Sequence, residues 1–332
     1  MVNFVSQLSH RLTHSGSHEA ANPIDPDFIT ALKYHQLVSA VQEVLPLPQL
    51  KEWQFHNLKR TKIQLLAKQY LSDFFNQNAV KFKWLKGQGL AEKLYPTQAS
   101  RYASDLDVLI QSRDAVLTCA VKLIAEGWTY SNNANKNTPN HLQQHLKLYK
   151  DIPLSHPTFG TLELHYRVTA IPTPLGTAYE AWIWQNNQQN LSAEEFLYLC
   201  YHGTTTAYHR LKWLYDIHLY ITAWSNEIDI NDLLAKAHNL DCERPLLLSW
   251  YLAHQIFQTS LPEVVQIKIQ QSPLIRFAAK RVITHANQCS GRKPHTAYRL
   301  ERRLFWYFAH KTHQHRYQIG RHLAILAWQR FK

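Results

Sequence analysis

Apolar residues recur at helical spacing in two stretches near the start of the chain. From Phe28 to Leu45 they follow the period of an α-helix, and the prolines of LPLPQL then end it. The pattern predicts a second, longer helix from Leu58 to Gln77. Residues 28–79 are therefore predicted as a helical lead-in. Residues 1–27 are polar and end in NPIDPD, which favours a flexible N-terminal arm.

The pattern changes over residues 80–177, where strands and helices alternate. VKFKWL (80–85) is a strand candidate, and SDLDVLI (104–110) alternates strictly between polar and apolar positions. A helix is predicted from Arg113 to Glu126, ended by Gly127. Further strands are predicted at 128–131, 146–149 and 161–167. Together these elements predict an α+β core, with a mixed sheet flanked by helices.

The pattern from residue 178 to 332 predicts a large helical C-terminal domain. Ser192 and Glu195 have the spacing of a capping box, which predicts a long helix running to about Trp224. The last thirty-odd residues combine basic and aromatic side chains: Arg302, Arg303, Phe305, Trp306, Tyr307, Arg316, Arg321 and Trp328. This composition suits an anionic partner, either single-stranded nucleic acid or a membrane surface, or simply the basic outer face of a helical subdomain.

Charge and cysteine usage narrow the class of protein. Lys and Arg number 36 against 24 Asp and Glu, a net charge of +12, which favours an anionic partner, although solubility alone would also explain it. The four cysteines form no CxxC pair, no segment resembles a signal peptide, and no apolar stretch is long enough to span a bilayer. These features predict a soluble, cytoplasmic protein.

The main candidate for chemistry is the carboxylate pair of SDLDVLI. Residues two apart on a strand share a face, so Asp105 and Asp107 lie a few ångströms apart. Two such carboxylates repel each other unless a cation holds them, and Mg²⁺ accepts carboxylate and phosphate oxygens. In TLELHYR (161–167), Glu163 and His165 share a strand face, which makes Glu163 a candidate third carboxylate. A solvated strand edge is the alternative explanation for the two aspartates.

A candidate phosphate site lies upstream of the aspartates, in WLKGQGLAEKLYP. There a strand is predicted to end at Lys86-Gly87, and a helix begins within a residue or two. A glycine lets the backbone approach a phosphate, and a helix N-terminus supplies unpaired N–H groups and partial positive charge. Lys86 would add a full charge, and Gln88 follows in the same turn.

The run LKGQGLAEKLYPTQASRYASDLDVLI resembles the signature of the nucleotidyltransferase superfamily. It is closest to a poorly characterised family that reads LKG-x-x-L, then YP, then R-x-x-x-D-x-D-h-L, where h is hydrophobic. The matching residues are Leu85, Lys86, Gly87, Leu90, Tyr95, Pro96, Arg101, Asp105, Asp107 and Leu109. Glu163-Leu164-His165 match the later acidic residue before Leu-His. HGTTTAYHRLKWLYDI (202–217) resembles the helical part of that family, so the resemblance spans roughly residues 30–225.

The resemblance implies a metal-dependent enzyme that takes a nucleoside triphosphate and transfers its monophosphate to an acceptor hydroxyl. Asp105, Asp107 and Glu163 would be the catalytic, metal-binding carboxylates, holding two Mg²⁺ or Mn²⁺ ions about 3.5–4 Å apart. The acceptor is not specified: a small or sugar-type molecule is expected, with RNA, protein or a non-catalytic binding module as alternatives. Gln88 departs from the wider superfamily, which usually has Ser or Gly after the first glycine.

Several other residues are candidates for nucleotide binding, each with a structural alternative. Arg101 would contact phosphate or steady the aspartates, and His165 would contact the nucleotide, orient a ligand or fill the core. Arg210 and Lys212 would clamp phosphates or lie in solvent. Asp216 is expected to pair with Arg210.

Overall fold

The computed structural model describes residues 4–13, 25–44, 47–131, 134–186, 190–225, 227–288 and 296–329. The strands are β1 (Phe82–Leu85), β2 (Asp105–Ile110), β3 (Thr129–Tyr130), β4 (Asp151–His156) and β5 (Gly160–His165). The helices are α1 (Phe4–Thr13), α2 (Pro26–His35), α3 (Val38–Val44), α4 (Lys51–Gln77), α5 (Gly87–Leu94), α6 (Arg113–Ala125), α7 (Pro139–Leu146), α8 (Pro174–Gln185), α9 (Ala193–Thr205), α10 (Lys212–Trp224), α11 (Ile230–Asn239), α12 (Glu243–Phe257), α13 (Glu263–Gln270), α14 (Pro273–Gln288), α15 (Thr296–Ala309) and α16 (His313–Gln329).

The five strands form one mixed sheet in the order β1-β2-β5-β4-β3. Strands β2 and β5 pair in parallel at its centre, and the other neighbours pair antiparallel. The prediction of an α+β fold with a mixed sheet and many helices is therefore confirmed.

The two faces of the central strands differ in character because side chains alternate along a strand. Leu106, Val108, Leu162 and Leu164 lie in a buried cluster. The helices α4, α6 and α7 also contribute to that cluster, with Phe75, Val116, Cys119 and Leu142 among its members. The intervening residues of β2 and β5 are mostly polar, so the opposite face carries the candidate site.

The chain divides into two compact units that interleave along the sequence. One unit, called the helical unit here, comprises Met1–Gln54, Ser100–Tyr102 and Asn190–Tyr317. The other, the sheet unit, comprises Phe55–Ala99, Ala103–Gln189 and Gln318–Lys332.

Three predicted elements differ from the structure. The helix predicted over residues 28–45 is two helices, α2 and α3, because Gln36 adopts a left-handed conformation with φ of 58°. The strand predicted at 146–149 is wrong. Thr138 caps α7 with Pro139 in its first turn, the helix buries Leu142 and Leu146, and the strand begins only at Asp151.

The long helix predicted from Ser192 to Trp224 is also interrupted. Helix α9 ends at Thr205, and the chain passes through Ala207 and Tyr208 with φ of 54° and 46° before α10 begins. Ser192 caps α9 as predicted by accepting from the Glu195 N–H, but its own N–H donates to the Tyr220 hydroxyl. The capping box is therefore only half formed.

Part of the predicted N-terminal arm is folded. Residues Phe4–Thr13 form α1, whose Phe4, Val5 and Leu8 are buried against the helical unit. The polar composition of residues 1–27 hid this short apolar face. Residues 1–3 and 14–24 of that arm lie outside the described residues.

Candidate active site

The candidate site is built on the parallel pairing of β2 and β5. In that register Asp107 lies opposite Glu163, and Leu109 lies opposite His165. On the other side of β5, Asp151 lies opposite His165. The alternation and the register together bring Asp107, Glu163, His165 and Asp151 onto one patch of the sheet.

The side chains of this patch converge on the His165 imidazole. Its Nε2 lies 3.0 Å from Asp107 Oδ1 and 3.3 Å from Glu163 Oε2. Its Nδ1 lies 3.1 Å from the Lys150 ammonium and 3.5 Å from Asp151 Oδ2. His165 is fully buried, whereas 32 % of the Glu163 side chain is exposed. The imidazole therefore lies beneath the carboxylates, and Glu163 is the one most open to solvent.

Asp107 is an ionised carboxylate in a largely buried position. Burial raises its pKa, but Lys86, the hydrogen bond with His165 and the charge of Lys150 lower it by more, so the pKa lies well below its usual range. The Lys86 ammonium lies 3.7 Å from Asp107 Oδ2. The site thus keeps this negative charge by surrounding it with cationic groups.

The pKa of His165 is shifted in the direction that favours the charged form of the imidazole. Burial and Lys150 lower its pKa, but the hydrogen bonds with Asp107 and Glu163 and the charge of Asp151 raise it above the usual value. An imidazolium in this position would stabilise the two carboxylates that meet at its Nε2.

Lys86 and Gly87 form the junction between β1 and α5. The strand ends at Leu85, Lys86 has φ of 38°, Gly87 has φ of 52°, and the helix begins at Gly87. Positive φ is costly for a lysine and is tolerated by glycine, so this turn is held in a sparsely populated conformation. It places Lys86 beside Asp107. The side chain of Gln88 lies outside the described residues.

Asp105 is the first residue of β2 and lies on the same face as Asp107, paired with Thr161 of β5. It is half-buried. Asp107, Glu163 and His165 form a group whose potential ligand atoms all lie within 4.8 Å of one another. The sequence therefore identified the strand face correctly but did not single out His165 as part of the tight group.

Arg101 forms a buried bidentate pair with Asp216 of α10. Its Nε and Nη2 donate to the two carboxylate oxygens, each over 2.8 Å, and the two side chains are 5 % and 1 % exposed. Arg210 instead donates to the Tyr34 carbonyl and lies over the Tyr34 ring, 4.0 Å from its centroid. The expected Asp216–Arg210 pair is therefore wrong, because Arg101 supplies the matching guanidinium.

Lys212 and the two histidines of the HGTTTAYHRLKW segment also take part in internal contacts. Lys212 is buried, and its ammonium donates to the Tyr102 carbonyl over 3.1 Å. His202 lies in α9 and His209 lies beyond its end at Thr205. Both rings contact Trp213 edge-on, at centroid distances of 5.2 and 4.7 Å.

Lys150 and Asp151 were missed by the sequence reasoning. Lys150 precedes β4 and Asp151 begins it, in the segment KDIPLSH, where Ile152 and Leu154 are buried and Asp151 and Pro153 alternate with them. That alternation was a usable signal, but the misplaced strand at 146–149 obscured it. Only the register of β4 with β5 brings these two residues to His165.

The arrangement of side chains fits a hard divalent cation. Two carboxylates from neighbouring strands approach one point, since Asp107 Oδ1 and Glu163 Oε2 both lie near His165 Nε2, and the Lys86 ammonium lies beside Asp107 Oδ2. Carboxylate oxygens are the protein ligands that Mg²⁺ prefers, and Asp107 is ionised. A second compact group, Asp241, His310 and His315, lies in the helical unit. There both imidazoles and the Thr312 hydroxyl bond to one Asp241 oxygen.

Across the described residues, every helix is too short or too polar to cross a membrane. A family model described as an uncharacterised nucleotidyltransferase matches residues 27–258. No curated protein and no solved structure matches the chain.

Proposed function

Because the chain belongs to an uncharacterised nucleotidyltransferase family, we propose that it transfers a nucleoside monophosphate from a nucleoside triphosphate to an acceptor hydroxyl. The acceptor proposed is a small or sugar-type molecule, and the protein is proposed to act in the cytoplasm. The observation that carries the proposal is the convergence of Asp107 on β2 and Glu163 on β5, with Lys86 of the glycine turn beside Asp107.

In this reaction the acceptor oxygen attacks the α-phosphorus, and the bond from that phosphorus to the bridging oxygen of the β-phosphate breaks. Pyrophosphate leaves, and the acceptor hydroxyl gives up its proton. Bound Mg²⁺ or Mn²⁺ would neutralise phosphate charge and increase the acidity of the acceptor hydroxyl. Asp105, Asp107 and Glu163 would hold the metal, as oxygen donors on one sheet face.

The remaining roles follow from exposure and charge. Glu163 is the more exposed of the paired carboxylates and is therefore proposed to take the acceptor proton. Lys86, at the start of α5, is proposed to bind a phosphate oxygen together with the N–H groups of that turn, including those of Gly87 and Gln88. His165 would act as a positioning residue that holds Asp107 and Glu163 at a common point.

The three remaining cationic candidates from the sequence are proposed to have structural roles. Arg101 and Lys212 are buried and bonded within the helical unit, and Arg210 binds the Tyr34 carbonyl. These contacts support a structural role for all three rather than a phosphate clamp.

The test is a binding and transfer screen with the four labelled ribonucleoside triphosphates, with and without Mg²⁺ or Mn²⁺. Wild type is compared with Asp107→Asn and with Asp114→Asn, which removes an exposed carboxylate from the first turn of α6. We expect one nucleotide to bind with metal dependence, and Asp107→Asn to lower binding or transfer by about 100-fold or more. Asp114→Asn should behave as wild type.

The transfer arm of the screen also shows which class of acceptor the protein uses. Candidate acceptors for the transfer arm are sugars, other small hydroxyl compounds, RNA and protein, the last two being favoured by the +12 charge alone. Absence of metal-dependent binding for all four nucleotides, with the protein folded, would reject the proposed activity.

A further inference from the structure

A cavity in the helical unit is lined by none of the residues proposed for catalysis. It has a volume of about 500 Å³ and lies among α12, α14, α15 and the first turn of α16. Cavities of this size hold small organic molecules, since ligand sites typically span about 300–1,000 Å³. Its lining divides into two chemical types, apolar and cationic.

The apolar part of the lining is unusually exposed. Phe277 and Leu304 have 63 % and 65 % of their surface exposed, and Leu274 has 44 %. The other residues of this part of the lining are Ala278, Phe305, Tyr307 and Phe308. Large apolar side chains grouped at a cavity mouth mark binding sites more often than isolated surface residues do, because covering them removes apolar area from water. The lining therefore offers an apolar occupant a favourable contact.

The cationic part consists of Arg244, Arg281 and Arg316. Arg244 Nη1 and Arg316 Nε both donate to the His310 carbonyl, over 3.1 and 2.9 Å, so one backbone oxygen brings the two guanidinium groups together. Burial and Arg316 lower the pKa of Arg244 by more than Asp241 and Glu243 raise it. A like-charged pair held this closely favours binding of an anion.

The nearby carboxylates are bonded to other groups. Asp241 accepts hydrogen bonds from His310, His315 and Thr312, and Glu243 pairs with Lys268 and Lys311. Within the described part of the chain, neither Arg244 nor Arg316 forms an ion pair with a carboxylate. Each guanidinium carries five N–H donors, so both retain donors for a ligand after binding the His310 carbonyl.

We propose that this cavity binds an amphiphilic anion: a carboxylate or phosphate monoester attached to an apolar chain or ring. The head group would bind Arg244 and Arg316 through charge-assisted hydrogen bonds, and the apolar part would pack against Phe277, Leu304 and Phe308. A single soluble molecule is favoured over a flat membrane surface because the apolar residues and the arginines line one concave space.

The proposal is tested by calorimetric titration of the full chain with decanoate and decyl phosphate, each below the concentration at which it forms micelles. Decanol and decyltrimethylammonium are the comparators, since they keep the chain and lose or reverse the charge. We expect saturable binding of one anion per protein, at least about tenfold tighter than either comparator. Vesicles of phosphatidylglycerol and of phosphatidylcholine, tested alongside, distinguish a lipid surface from a free amphiphile.

Variants locate the binding in this cavity. Arg316→Gln and Phe277→Ala should each weaken anion binding by about tenfold, because one loses a charged donor and the other an exposed apolar contact. Arg276→Gln is the matched control, since Arg276 is exposed on the same helix α14 and does not line the cavity. Thermal unfolding of each variant verifies that the helical unit remains folded.

Three results would overturn the proposal. They are equal binding of anions and comparators, wild-type affinity in both cavity variants, and binding to anionic vesicles without binding to either soluble anion. The outcome is independent of nucleotidyl transfer, because binding is read without nucleotide or metal.

Discussion

Two aspartates, Asp216 and Asp107, are held by different kinds of partner. Asp216 is bound on both oxygens by one guanidinium, that of Arg101, in a closed pair. Asp107 is contacted by Lys86 and His165 through separate groups. A bidentate fork leaves a carboxylate little capacity for another cation, whereas several single contacts can be rearranged around a ligand. The contacts of Asp216 are therefore suited to stabilising the fold, and those of Asp107 are suited to binding a ligand cation.

Arg101→Gln should destabilise the helical unit by about 3 kcal/mol, because it leaves the buried Asp216 carboxylate without its charged partner. Urea unfolding followed by circular dichroism measures the change, with the exposed Arg276→Gln as the comparison. Loss of nucleotide binding by Arg101→Gln with wild-type stability would contradict this assignment and favour the phosphate contact considered from the sequence.

The strand face that carries the candidate site could be predicted from the sequence, but the full set of residues on it could not. Alternation along 104–110 and 161–167 was enough to align Asp105, Asp107, Glu163 and His165, because side-chain direction in a strand depends only on local spacing. Lys150 and Asp151 depended on the pairing of β4 with β5. Pairing between strands is a long-range property that no local pattern specifies.

At the scale of elements, the HGTTTAYHR segment comprises the last turn of α9 and the packed turn that leads to α10. Tyr208 is 1 % exposed, and its hydroxyl bonds to Ser249. A Cβ atom added at Gly203 would lie 2.2 Å from Cε1 of the Tyr208 ring. Gly203 is thus required by close packing, which gives this part of the family-like pattern a structural explanation.

Gly203→Ala should therefore lower the free energy of unfolding by about 1–3 kcal/mol, although alanine favours helices, because the new methyl group overlaps a buried ring. Gly89→Ala in α5 is the matched control, since a Cβ there meets no atom within 4 Å. Chemical denaturation of both variants measures the difference. Equal stability of the two would show that Tyr208 moves aside at little cost.

Elements with strong local signals were predicted closely, and the breaks between them were not. Helix α6 was expected to end at Glu126 and ends one residue earlier, at Ala125. The breaks at Gln36 and at Ala207-Tyr208 use left-handed conformations in residues other than glycine. Such positions are stabilised by tertiary packing, so composition gives no warning of them.

Across the whole molecule, the abundant histidines make stability sensitive to acid. His35 of α2 is 1 % exposed; its Nδ1 accepts from the Leu211 N–H, and its Nε2 lies 3.3 Å from the Ala286 carbonyl. Burial, with a smaller contribution from Arg210, lowers the pKa of His35 to about 3. Burial likewise lowers the pKa of His209 to about 3 and that of His218 to about 4.

Between pH 6.5 and about 3 the unfolded chain binds a proton at His35 that the folded chain does not, so stability falls as the pH drops through this range. The loss from His35 alone should reach about 2 kcal/mol at pH 5. The stability gap between wild type and His35→Gln should therefore narrow by about that amount from pH 7.5 to pH 5. A gap of constant size would contradict a neutral, buried His35.

The interleaving of the two units affects any attempt to divide the protein. The chain passes between them five times, at residues 54–55, 99–100, 102–103, 189–190 and 317–318. No single cut therefore releases either unit whole, and a fragment spanning the sheet from Phe55 to Gln189 would lack Gln318–Lys332. It would also carry Arg101 away from Asp216, exposing a charge that is buried in the full chain. Truncations made to locate the activity would thus remove folding partners, whereas point substitutions preserve them.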